Sequence, residues 1–150
     1  MYDISKLKTV EECRTVMDRA KARKLDDVYR AVFRRYCELV GKEYEDPSDP
    51  LIADFYETLA AYEQLLTEKN GFNTRASRTR QKIDNKGVHR SLVEWTCGKA
   101  ETNGFDLLVG ASLARYTGEF LVVKYANRFP EEVVALARER LRKHQIESPS

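Results

Sequence analysis

The chain has 150 residues, of which 42% are hydrophobic and 33% charged, and a net charge of +2; these values fit one globular domain and exclude disordered, collagen-like and disulfide-stapled classes. No apolar run approaches the ~20 residues that a bilayer crossing needs, and the opening MYDISKLKTVEE carries no secretory or lipidation signal. A reducing, cytoplasmic address is therefore expected.

The first helix begins at a capping box, Thr9 with Glu12, and Val10, Cys13, Met17 and Ala20 recur behind it at helical spacing. A second follows after a short turn: Leu25, Val28, Tyr29, Val32, Phe33, Tyr36, Leu39 and Val40 form a wide apolar stripe that stops at Gly41. Residues 1–41 thus read as an N-terminal helical hairpin. The loop KEYEDPSDP, rich in acids and proline, leads to Asp49-Pro50, a helix start signal, and a third helix built on Ile52, Phe55, Leu59, Tyr62 and Leu66.

A helix over 74–86 comes next, with Asn73 or Thr74 as its N-cap and Gly87 as its end. Only Ala76 and Ile83 are apolar within it, too few for an ordinary buried stripe. Val88, Leu92 and Trp95 define a fifth helix, and Phe105, Leu108, Val109, Ser112 and Tyr116 a sixth running up to Thr117-Gly118. EFLVVKY suits either a short buried helix or a strand of a minor β-hairpin within 105–125; without a third strand to join, the helix is the better reading. Pro130 opens a last helix on Val133, Val134, Ala137 and Leu141. The fold class is all-α, a compact bundle of six or seven short helices in one domain over 1–150, with a helical body at 50–145.

Cys13, Cys37 and Cys97 stand far apart at positions where the helical pattern wants a small apolar residue, so they read as buried hydrophobes. His89 and His144 are isolated, and no metal site is expected. No glycine-rich phosphate loop or nucleophile elbow occurs, and no cofactor is implied. Asp46, Asp49, Asp54 and Glu57 are the acids that a metal-dependent nuclease would draw on, but acids at such spacing occur on most surface helices. Catalysis ranks as the third reading.

The informative segment is Lys69 to Arg90. It holds Lys69, Arg75, Arg78, Arg80, Lys82, Lys86 and Arg90 against a single acid, Asp84, a local net of +6 in a chain whose total is +2. Helical geometry puts Arg75, Arg78, Lys82 and Lys86 on one face, with Ser77, Thr79 and Gln81 among them. Cations release counterions from phosphates, and hydroxyl and amide groups add directional contacts. A solvated helix is normally steadied by alternating acids and bases, whereas like charges at this spacing repel and ask for an anionic partner. Nucleic acid is the first reading, duplex DNA before RNA because no exposed aromatic platform for single strands is evident. Docking on an acidic protein, as an adaptor or regulatory subunit, is the alternative. The turn glycines Gly71 and Gly87 do not fit a standard helix-turn-helix. A second basic band, Arg19, Lys21, Arg23, Lys24, Arg30, Arg34 and Arg35, is interrupted by Asp18, Asp26 and Asp27 and reads as a solvated face.

Overall fold

The computed structural model describes residues 3–71, 76–98 and 103–149. Among the described residues eight α-helices follow one another: α1 (Val10–Ala22), α2 (Asp26–Glu43), α3 (Pro50–Asn70), α4 (Ser77–Lys86), α5 (Val88–Cys97), α6 (Asn103–Gly110), α7 (Gly118–Lys124) and α8 (Glu131–Lys143), with short 3-10 turns at Ile4–Lys6, Ala114–Tyr116 and Ala126–Arg128. The all-α class expected from the periodicity is the class observed. No strand occurs among the described residues, so the alternative β-hairpin within 105–125 is not formed. The valines of EFLVVKY lie in α7, where Leu121, Val122 and Val123 are all buried. Burial on every side is what makes a short helix and a strand alike in sequence.

Packing divides the chain into two compact units, Met1–Ala60 and Ala61–Ser150, and the division falls within α3. In the first unit α1 and α2 pack as an antiparallel hairpin. Thr9 caps α1 by accepting from the Glu12 amide at 3.1 Å, and Cys13, Met17 and Ala20 face the interior. From α2 come Val32, Phe33, Tyr36, Cys37 and Val40. Gly41 allows α2 to meet the start of α3 closely: a Cβ there would lie 2.6 Å from Cγ of Glu57 and 2.8 Å from the Ala53 carbonyl oxygen. Tyr44 stacks on Tyr56 with ring centres 3.9 Å apart.

The second unit buries Leu92, Phe105, Leu108, Leu121, Val122, Val133, Ala137 and Leu141. Gly118 performs the same service as Gly41, since a Cβ would meet Cε3 of Trp95 at 2.9 Å. Above this contact Glu119, 1% exposed, accepts from Nη1 of Arg140 at 2.9 Å. Arg140 also donates to the carbonyls of Trp95 at 2.9 Å and Gly98 at 2.6 Å. One side chain of α8 thus pairs a buried acid and satisfies carbonyls that the end of α5 leaves open.

Two expectations are corrected. The sixth helix stops at Gly110 instead of reaching Thr117-Gly118, because Ser112 adopts a left-handed conformation (φ 62°) and turns the chain. Cys97 is exposed, while Cys13 and Cys37 are buried as expected.

Candidate nucleic-acid interface

The basic helix α4 begins at Ser77, with Ala76 as its N-cap residue and no side-chain cap of its own. Asn73 and Thr74, the expected caps, lie outside the described residues. The helix is held instead by Glu63, a buried acid on α3. Oε2 of Glu63 accepts from the Ala76 amide and from Nε of Arg80, both at 2.7 Å, and Oε1 accepts from Nη2 of Arg80 at 2.7 Å. This bidentate pair is the strong form of a charge-assisted hydrogen bond. Ala76, Arg80 and Ile83 recur at one-turn spacing, and Ala76 and Ile83 are buried. An ion pair therefore replaces the apolar residues that α4 lacks.

Gly87 ends α4 with φ 85°, its amide bonded to the Ile83 carbonyl at 2.7 Å. Its own carbonyl accepts from the amide and the hydroxyl of Ser91, at 3.1 and 2.7 Å. The positive φ suits glycine, and the turn leads directly into α5. This brings Glu94 of α5 to Lys86, whose Nζ lies 2.9 and 3.1 Å from the two carboxylate oxygens. Arg90 approaches the same carboxylate at 3.8 Å. The hydrogen bond from Lys86, helped by the charges of Lys86, Arg90 and Lys82, holds the Glu94 carboxyl below its ordinary pKa. His89 donates from Nε2 to the Arg128 carbonyl at 2.7 Å and stacks on Phe129; it is a surface group tied to its own fold.

The ten residues singled out by sequence fall into distinct environments. Ser77, Gln81, Lys82, Lys86 and Arg90 are exposed, as is Lys69 in the last turn of α3. Thr79 and Arg80 are half-buried, and Arg80 is committed to Glu63. Arg75 lies outside the described residues, as does the side chain of Arg78. Lys82 and Lys69 make no side-chain hydrogen bond or ion pair among the described residues. Among the described residues Glu63 and Glu94 are acids that meet this segment.

Glu63 and Glu94 fall outside the residues that the charge pattern singles out, yet each leaves a trace in the sequence. Glu63 stands four residues after Leu59, on the edge of the apolar stripe of α3. Glu94 follows Arg90 at the spacing of a helical ion pair. Among the described residues no group of three or more His, Cys, Asp or Glu side chains gathers to hold a metal ion, and no helix is long and apolar enough to cross a membrane. Comparison of the chain with family models, curated proteins and solved structures returned no match.

Proposed function

We propose that this chain binds nucleic acid, duplex DNA before RNA, by setting the outward face of α4 against the phosphate backbone. One observation carries the reading: with Ala76, Arg80 and Ile83 engaged inward, Gln81, Lys82 and Lys86 are left exposed together. Lys82 is the principal phosphate contact, Gln81 and Ser77 supply directional hydrogen bonds, and Lys69 adds charge at the end of α3. Lys86 and Arg90 join by exchanging Glu94 for a phosphate. Arg80 belongs to the scaffold, since its guanidinium fixes the helix that carries the others.

Titration of a labelled duplex at several salt concentrations tests this. Each phosphate contact contributes a slope of about −0.9 in log affinity against log salt, and the exposed set named here implies several such contacts. Glu94→Gln should bind more tightly and with a steeper slope, because the internal competitor for Lys86 and Arg90 is gone. Absence of binding at low salt, together with capture of a polyglutamate peptide that Lys82→Ala abolishes, would replace this reading by docking on an acidic protein.

A further inference from the structure

The apex of the α1–α2 hairpin carries charge that its own fold does not use. After Ala22 the chain turns through Arg23 and Lys24: the Lys24 amide bonds to the Lys21 carbonyl at 3.1 Å, and the Leu25 amide reaches back to the Ala20 carbonyl at 2.8 Å. This is a Schellman closure, and its left-handed position is occupied by Lys24 with φ 57°. Glycine is the usual residue there, because a side chain in that region strains the backbone. Ser112 and Gln145 take the same conformation elsewhere in the chain, so the backbone alone marks nothing. What sets Lys24 apart is the charge held at that point and the charges around it.

Arg19 and Arg23 leave the end of α1, and Arg30 and Arg34 stand one turn apart on α2, separated by a rise of about 6 Å. All four are exposed, as is Lys24. None of the five side chains has a hydrogen-bond or ion-pair partner among the described residues. The acids that interrupt this band in sequence, Asp18, Asp26 and Asp27, make no side-chain hydrogen bond or ion pair with it among the described residues, and Asp26 and Asp27 occupy the first turn of α2. There they complement the positive end of the helix dipole. The same dipole argument explains Arg19 at the end of α1, but not Arg30 and Arg34, which repel each other at one-turn spacing near the start of α2. Lys21 is excluded from the set because its ammonium lies over the ring of Tyr29.

We infer that the hairpin apex and the outward row Arg30–Arg34 form a second phosphate-contacting surface, which takes the backbone of a nucleic acid. A row of single charges one helical turn apart suits a linear polyanion. An anionic membrane fits less well, since inserting the exposed Leu25 would press Asp26 and Asp27, which directly follow it, against the headgroups. The surface shares its ligand class with α4 and none of its residues, so the two fail separately.

Full-length Lys24→Gly and the double variant Arg30→Gln/Arg34→Gln provide the test, with binding to a labelled duplex followed against salt. Lys24→Gly removes the charge and relieves the left-handed strain, so it should melt no lower than the parent while the magnitude of the salt slope drops by about 0.9. The double variant should lower it by about twice as much, and Lys82→Ala should leave the sensitivity to Lys24→Gly intact. If Lys82→Ala has no effect while the apex variants weaken binding, the apex stands and the α4 reading falls. Unchanged affinity and slope in both apex variants would overturn the inference, as would a parent protein that binds no duplex at low salt. Capture on phosphatidylserine vesicles that is lost in Lys24→Gly, with duplex binding unaltered, would also overturn it in favour of a membrane surface.

Discussion

Glu63 is the residue on which the basic helix depends. It satisfies the amide of Ala76 and the Nε and Nη2 edge of Arg80, so removing it takes the carboxylate from a half-buried guanidinium and leaves the helix start open. Breaking a buried pair by deleting one partner costs about 3–5 kcal/mol; the partial exposure of Arg80 points to the lower end. Glu63→Ala should therefore shift the urea midpoint well down, and Glu63→Met/Arg80→Leu should recover much of the loss because apolar replacements of similar size avoid the stranded charge. At the surface, Glu94 gives a prediction with a sign. Its carboxyl titrates low in the folded chain because Lys86 bonds to it. The contribution of that pair is complete above the ordinary carboxylate range and is lost as pH falls through the depressed value. An NMR titration should find Glu94 below a model carboxylate, and Lys86→Ala should move it up towards the usual value.

At the scale of elements, the helices with wide apolar stripes, α1, α2, α3 and α8, could be read directly from the period. Where the reading slipped, a local interaction had replaced the usual marker. Ser112 ends α6 in a conformation that normally announces itself with glycine. The start of α4 is secured by an acid 13 residues upstream, a link no local pattern contains. In α7, Thr117 caps the helix by accepting from the Phe120 amide at 3.2 Å, the cue that separates EFLVVKY from a strand. The candidate site shows the same division. Its charge and exposed residues were legible, whereas Arg80 looked like its neighbours until its partner was placed. Ile83→Ala should destabilise the fold by about 2–5 kcal/mol through the cavity it leaves. Gly41→Ala should cost about 1–3 kcal/mol, since the Ala53 carbonyl oxygen it meets is backbone and cannot swing aside. Both are measured by equilibrium unfolding.

Across the whole molecule, the distribution of charge carries more information than its total. A chain of net +2 spends one arginine on Glu63 and another on Glu119, and still leaves Lys69, Lys82 and the hairpin cations exposed. The thiols report on whether this organisation persists in solution. Cys97 is exposed while Cys13 and Cys37 are buried, and burial pushes the Cys13 thiol above its ordinary pKa. A thiol reagent should modify one cysteine promptly and the other two only on unfolding; prompt reaction of all three would mean that the first unit is open. The role of α4 is tested most directly by the binding of Lys82→Ala to duplex DNA over a range of salt, beside its melting curve. Lys82 is exposed and makes no side-chain hydrogen bond or ion pair among the described residues. The variant should melt within about 0.5 kcal/mol of the parent's stability, bind more weakly and lose about one unit of salt slope. Isotherms that superimpose on those of the parent at every salt concentration would contradict a phosphate contact on this helix.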